Sequence, residues 1–151
     1  MIGVISDTHG LLRPQVIEAL RGMELIIHAG DIGNVEVLKT LETIAPVTAV
    51  RGNNDHGPWA EQIPLTNVVD YRSYSLYVLH ELDSLDLDPV ASEFSAVIFG
   101  HSHRPSVEKR HGVLYLNPGS AGPRRFTLPI AMARLHLTET GLWPELIEIE
   151  R

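Results

Sequence analysis

Cysteine is absent from the 151 residues, which excludes disulfides, thiolate nucleophiles and sulfur-ligated metal sites. Any metal must be held by nitrogen and oxygen. Cations are scarce, with 12 Lys and Arg against 19 Asp and Glu and a formal net charge of −7. Affinity for nucleic acid rests largely on Lys and Arg neutralising phosphates, so long nucleic acid is disfavoured as a partner. A small phosphorylated ligand stays open if metal ions supply the positive charge. Long apolar runs are also missing, and the opening "MIGVIS" has no basic stretch before it. Neither a membrane span nor a signal peptide is therefore expected, and cytoplasmic residence is the default. At 44% hydrophobic content, the chain suffices for one well-buried core and is too short for two ordinary domains. A single domain over residues 1–151 is expected, and a homo-oligomer is compatible with it.

Short apolar or β-branched runs recur at residues 1–5, "LIIHAG" (25–30), "VTAVRG" (47–52), "YSLYVLH" (74–80) and "AVIFG" (96–100). They read as strands, several buried on both faces. Between the first two lies "RPQVIEALRGM", where Pro14 suits a first helical turn and Val16, Ile17 and Leu20 recur at helical spacing. "NVEVLKTLETIA" repeats the pattern, with Asn34 as cap and Val35, Leu38 and Leu41 on one face. A shorter helix is expected over "DPVASEF" (88–94), opened by Asp88 and Pro89. This alternation implies a parallel sheet with helices packed on it. Beyond residue 105, "VEKRHGVLYLN" and "IAMARLHLTETGLWPELIEIE" read as antiparallel hairpins turning at His111-Gly112 and at Gly141. Two sheets packed face to face, with helices outside, account for both halves.

The polar clusters "SDTHG" (6–10), "GDIGN" (30–34), "GNNDHG" (52–57), "LHE" (79–81) and "GHSHRP" (100–105) each follow an expected strand. Ligand sites in open parallel sheets lie outside the carboxyl ends of the strands, where clusters distant in sequence converge. Pooling them gives Asp7, His9, Asp31, Asn53, His80, His101 and His103. This carboxylate, amide and imidazole set suits first-row divalent ions, with Mn²⁺ favoured and Ni²⁺, Fe²⁺ or Zn²⁺ as alternatives. Seven ligands exceed what one ion with open positions can use, so two ions are expected. Asp31 would bridge them, with a bridging hydroxide completing the pair. His101 and His103 would point the same way if "GHSH" is locally extended. Each cluster alone has an ordinary reading: Asp-x-His as an Asx turn, His80 as a hydrogen-bonded interior histidine. Their coincidence at five strand ends favours a common site.

The ordered set "SDTH", "GD", "GNND", a strand-end histidine and "GHSH" resembles the calcineurin-like metallophosphoesterase superfamily, most closely its small bacterial and archaeal phosphodiesterase branch. The similarity runs from Met1 to about Arg125. It implies an α/β fold, a four-layer αββα sandwich of two mixed sheets flanked by helices. It also implies a division of ligands, with Asp7, His9, Asp31 and His103 on one ion and Asp31, Asn53, His80 and His101 on the other. "NPGS" (117–120) resembles a recurrent element of the branch. Its functional reading is that backbone N–H groups, with Arg124 or Arg125, help to hold an anion as substrate-binding groups. A turn with an indirect positioning role is the simpler reading. His28 is either a support for the metal ligands or a satisfied core histidine.

Two positions depart from the family pattern. Many relatives carry a histidine after the ligating asparagine, where this chain has Asn54, with His56 two residues on as a substitute. Asn54 and His56 are the candidate catalytic groups, and esters whose leaving oxygen needs little protonation are favoured. Relatives also typically read His-Gly-His where this chain has His80-Glu81-Leu82. Glutamate lacks glycine's conformational freedom, and Glu81 is expected to alter the wall of the second ion site and to repel an anionic ester. The resemblance implies a metal-dependent phosphodiesterase acting on small or nucleotide phosphodiesters through a dinuclear centre. The competing reading is a binding or scaffold protein, like the retromer subunit that shares this fold.

Overall fold

The computed structural model describes residues 1–150. Strands β1 (Ile2–Ile5), β2 (Leu25–His28) and β3 (Val47–Ala49) run parallel, joined by helices α1 (Pro14–Leu20) and α2 (Val35–Glu42). Pro14 stands in the first turn of α1, where its missing N–H costs nothing. Asn34 caps α2 by accepting a hydrogen bond from the Val37 N–H. The buried face of α2 is carried by Val37 and Leu41, one position round from the face expected through Val35. Both helices pack on the outer face of this sheet in a cluster that includes Ile5, Val16, Leu20, Ile26, Leu41 and Met132.

A short helix α3 (Pro58–Glu61) then leads into the second sheet, formed by β4 (Thr66–Tyr71), β5 (Tyr74–Leu79), β6 (Ala96–Ile98), β7 (Ser106–Arg110) and β8 (Val113–Asn117). Its order is β4-β5-β6-β8-β7, with β5, β6 and β8 parallel and both edge strands antiparallel. The long hairpin of β9 (Ile130–Thr138) and β10 (Gly141–Glu150) returns to the first sheet, whose order is β10-β9-β1-β2-β3. The two expected hairpins are thus divided between the sheets. Inner faces meet in one core through Ile2, Val4 and Ile27 from one sheet and Leu76, Ile98 and Leu116 from the other. Burying side chains of this size contributes about 1.5–3 kcal/mol each.

The fourth layer differs from expectation. No helix forms over 88–94; Asp88 C=O accepts from Ser92 N–H at 3.0 Å, and the turn stops where Glu93 takes φ +63°. Together with a 3₁₀ turn at Leu82–Ser84, this segment covers Tyr77, Leu79, Val97 and Tyr115 with Leu82, Leu85, Leu87 and Phe94. The sandwich is therefore αββα in outline, with an irregular outer layer on one side. No helix among the described residues is long and apolar enough to cross a membrane.

Candidate metal centre

The five expected clusters lie at strand ends from both sheets: β1, β2 and β3 from the first, β5 and β6 from the second. The parallel ladder continues past the strands into the loops, since Asp7 N–H donates to Gly30 C=O at 3.0 Å and His9 N–H to Asp31 C=O at 2.9 Å. Gly100 N–H likewise donates to His80 C=O at 3.0 Å. Asp7, His9, Asp31, His101 and His103 all have φ between 46° and 74°. Non-glycine residues in this region carry roughly 1–2 kcal/mol of strain each, which persists only where surrounding contacts enforce it. The "GHSH" segment is thus bent and left-handed, not extended. Its bend is set by His101 N–H donating to Asp7 Oδ2 at 3.1 Å.

Those contacts are identifiable. Asp55 is buried and accepts three backbone N–H groups, from Ile32 at 3.1 Å, Gly33 at 3.0 Å and Gly52 at 2.9 Å. It ties the loop after β3 to the loop that carries Asp31. Glycine is required at two approaches: a Cβ on Gly52 would lie 2.1 Å from Asp31 Oδ1, and one on Gly100 2.0 Å from Ser6 Oγ. Ser6 Oγ donates to Asp7 Oδ2 at 2.8 Å. Thr8 Oγ1 donates to Ile32 C=O and lies 2.9 Å from His28 Nε2. His28 Nδ1 accepts the Gly30 N–H at 3.1 Å, so the neutral ring carries its proton on Nε2 and donates it to Thr8. Burial pushes the His28 pKa down to about 4. It is a satisfied core histidine that braces the residue between Asp7 and His9.

The "NPGS" element also braces. Asn117 is buried and donates to Gly100 C=O and Ser102 Oγ, both at 3.1 Å, while its Oδ1 accepts the Gly119 N–H. Ser120 Oγ donates to Asp7 C=O at 3.1 Å, and Ala121 N–H donates to Ser6 C=O. The Gly119 and Ala121 N–H groups are therefore engaged internally. Arg124 donates to Leu128 C=O within its own exposed loop, and Arg125 is exposed beside it. The hydroxyls flanking Asp7 in "SDTH" are the sequence signal for Ser6 and Thr8. Asp55 has no such local signature, because its partners lie on two separate loops.

At the centre, His9, His80 and His103 present Nε2 atoms 3.7, 3.8 and 3.4 Å from Asp7 Oδ1. Asp31 Oδ2 lies 3.2 Å from His80 Nε2 and 3.7 Å from His9 Nε2. Asp7 Oδ1, His9 Nε2, His80 Nε2 and His103 Nδ1 are buried without a hydrogen-bond partner. Buried polar atoms are ordinarily paired, and orphans from one carboxylate and three imidazoles gathered beside the Asp31 carboxylate fit divalent cations. Two donor groups each fall within 4.8 Å, Asp7 with His9 and His103, and Asp7 with Asp31 and His80. Asp7 is common to both, while Asp31 also reaches His9. His101 stands at the edge, exposed, its ring 5.3 Å from that of His80 and edge-on. Asn53 is exposed at the rim.

Electrostatics match this arrangement. Burial alone would raise the Asp7 pKa, but contact with His103 and His9 and the nearby His80 hold it well below the usual carboxylate range. For Asp31 burial is similarly outweighed by His80 and the Asn54 N–H, and its pKa is lowered. Contact with Asp7 raises that of His9. In His80 burial opposes the shift, yet Asp31 and the charge of Asp7 raise it.

The candidate catalytic groups are placed differently from each other. Asn54 donates both its N–H to Asp31 Oδ1 at 2.9 Å and its side-chain amide to Asp31 Oδ2 at 3.1 Å, so it clamps a carboxylate. His56 is exposed. Glu81 adopts ordinary extended backbone, φ −109° and ψ 118°, so no glycine is needed there. Its carboxylate lies 3.9 Å from His101 Nδ1.

A mixed two-sheet sandwich whose strand ends gather Asp and His around buried unpartnered donors defines a metallophosphoesterase class of protein. Residues 1–140 match the calcineurin-like phosphoesterase superfamily domain, and the chain belongs to that superfamily. It is 35% identical over 144 residues to the "Probable metallophosphoesterase" of Methanothermobacter thermautotrophicus, covering 87% of this chain and 83% of the relative. Identity to "Phosphodiesterase MJ0936" of Methanocaldococcus jannaschii is 31% over 137 residues, covering 78% of this chain and 82% of that protein. The crystal structure of Chaetomium thermophilum Vps29 superposes with a TM-score of 0.79 at 20% identity, covering 97% of this chain and 94% of that one. That last likeness concerns the fold.

Proposed function

We propose that this protein is a cytoplasmic phosphodiesterase that hydrolyses small or nucleotide phosphodiesters with two divalent ions, Mn²⁺ foremost. The observation that carries the reading is the set of buried, unpartnered donors converging on Asp7 and Asp31. Asp7, His9, Asp31 and His103 would hold one ion, and Asp31, Asn53, His80 and His101 the other. When bound, such a pair lowers the pKa of water and neutralises developing charge on phosphoryl oxygens.

The chain's own contribution is positioning. His80 Nδ1 lies 2.7 Å from Ala29 C=O, so its proton is held there and Nε2 offers a lone pair toward the carboxylates, the usual support for a ligating imidazole. Ser6 and the His101 N–H hold Asp7 Oδ2, which leaves Oδ1 free. Asn54 orients Asp31 with its backbone N–H and one side-chain N–H, and its exposed amide keeps a second N–H for a phosphoryl oxygen. No hydrogen-bonded acid is held at the site, since His56 is exposed, which supports diesters with good leaving alcohols over monoesters. The likeness to Vps29 favours a scaffold as second reading, but a scaffold has no need of buried, unpartnered Asp and His atoms.

Hydrolysis of bis(4-nitrophenyl) phosphate and 4-nitrophenyl phosphate, compared with metal-free and Mn²⁺-loaded protein, tests this reading. Turnover of the diester that requires metal and is lost in Asp31→Asn is the expected result. A diester untouched at every metal tried overturns it, and preferred turnover of the monoester overturns the specificity.

A further inference from the structure

Beside the metal centre opens a cavity of about 350 Å³, lined by Arg51, Asn53, Thr66, His80, Glu81 and Asp86, with Leu65 and Leu79 as apolar lining. Asn53 and His80 belong to the candidate metal set, so the cavity continues from it. His80 is 4% exposed, and its unpartnered Nε2 faces Asp31 at 3.2 Å, so the same ring lines the cavity and reaches the two aspartates. Arg51 comes from the segment after β3, while Glu81 and Asp86 come from the segment after β5. Opposite charges thus face one cavity from two directions. Among the described residues Arg51 and Asp86 form no ion pair, and the charged contact of Glu81 is with His101 at 3.9 Å.

A guanidinium only donates hydrogen bonds and an ionised carboxylate only accepts them. Charges of both signs held apart around one small space are satisfied together by a ligand that itself carries both. The volume lies at the lower end of ligand pockets, which suits one small head group. No Phe, Tyr or Trp lines the cavity, so it lacks the stacking surface that a nucleobase would use.

We propose that this cavity receives the alcohol portion of the ester and selects a small zwitterionic amino alcohol. Its ammonium faces Glu81 and Asp86, and its anionic group faces Arg51. The proposal rests on the phosphodiesterase reading for its reaction and narrows the substrate class from nucleotide to head-group diesters. Hydrolysis forms one P–O bond to the water oxygen and breaks the P–O bond to the amino alcohol. The site holds no acid for the departing alkyl oxygen, so that oxygen takes its proton from the substrate's own neighbouring ammonium; one water proton restores the ammonium and the other goes to solvent, leaving a phosphomonoester. Glu81, on this view, recognises the ammonium of the substrate instead of simply repelling its phosphate.

Three diesters separate the charges: glycerophosphoserine carries ammonium and carboxylate, glycerophosphoethanolamine the ammonium alone, and glycerophosphoglycerol neither. Wild-type and variant kcat/KM values are read with Mn²⁺-loaded protein by ³¹P NMR after an EDTA quench. Arg51→Gln should lower the serine-to-ethanolamine ratio at least fivefold, and Asp86→Asn the ethanolamine-to-glycerol ratio at least fivefold. A smaller change in either ratio overturns the proposal, as does a wild-type preference for a dinucleotide over all three. The same ratios, taken as Kd values from titration of ¹⁵N-labelled metal-free protein, report binding without turnover. Ratios that shift as expected in the titration while no diester is cleaved would sink the phosphodiesterase reading and sustain the cavity assignment. Cleavage of bis(4-nitrophenyl) phosphate with flat ratios would do the reverse. Both substituted residues lie outside the buried core, and matched thermal melts verify that the variants fold.

Discussion

His80 Nδ1 and the carbonyl oxygen of Ala29 lie 2.7 Å apart, and this one contact decides which face of the imidazole looks at the two aspartates. With Nδ1 donating, Nε2 is a lone pair 3.2 Å from Asp31 Oδ2, an acceptor facing an acceptor unless a proton or a cation intervenes. His80→Ala should weaken Mn²⁺ binding at least tenfold by calorimetry. The same loss should appear as a smaller rise in melting temperature on adding metal, because a ligand that binds only the folded state stabilises it by mass action.

Metal binding should weaken on acidification. Contact with Asp7 raises the pKa of His9, and in His80 the aspartates outweigh burial and raise it too. Each ring must lose its proton before Nε2 can ligate. Apparent Mn²⁺ affinity measured from pH 8 to pH 5 should therefore fall steadily, with protons released on binding when the titration is repeated in buffers of different ionisation enthalpy.

Asp55→Ala removes the acceptor for three backbone N–H groups. Leaving buried donors unsatisfied costs about 1–3 kcal/mol each, though not additively. A loss of about 3 kcal/mol in urea unfolding is expected, accompanied by weaker metal binding, since the loop bearing Asp31 loses its tie. An unchanged midpoint would refute the stapling role.

Gly100→Ala would put a methyl 2.0 Å from Ser6 Oγ and 2.8 Å from Asp7 Oδ2. Overpacking of this kind costs about 1–3 kcal/mol, and here it also displaces a metal-facing carboxylate. Gly112→Ala is the control: its φ is +81° but nothing lies within 4 Å, so only backbone strain of about 1 kcal/mol is added. Metal affinity should drop in the first variant and persist in the second.

His28 predicts a specific acid sensitivity in the metal-free protein. Its ordinary value of 6.5 is pushed down by burial to about 4, so between those values the unfolded chain binds a proton that the folded chain refuses. Stability must therefore fall as pH drops from 6.5 toward 4, by about 3 kcal/mol in all. His9 and His80, with raised values, are protonated in both states over this window and add no slope. Asp7 and Asp31, with lowered values, keep their contribution throughout this window and lose it only as pH falls below the ordinary 3.8 of aspartate toward their lower folded values. Urea unfolding of His28→Asn across the window should show a much flatter profile.

The strands that carry the site were legible because each is a short apolar or β-branched run ending in a polar cluster, fully buried in β1 and β6 and half-buried in β3. Strand β4 was not anticipated: it is an edge strand in which only Val69 is buried, so neither alternation nor a continuous run marks it. The segment 88–94 has a good helix start in Asp88-Pro89, yet Glu93 turns left-handed and the chain enters β6 after one turn. Hairpin patterns in the last third were clear, but their assignment to different sheets depends on pairing with β6 and β1, which no local pattern encodes. At the site, residue types revealed the donors. They did not show that Asn54 and Asp55 both hold Asp31 and its loop, because adjacent polar residues after a strand look alike until their partners are known.

The division of the hairpins also orders the birth of the molecule. Ile2 pairs with Leu135, so the strand leading to Asp7 has a bare edge on that side while the intervening residues are being synthesised. Such distant pairing is slow to form, and an uncovered apolar edge invites association with other chains. A nascent chain therefore carries Asp7 and His9 long before it can lock them in place, which waits until β9 arrives.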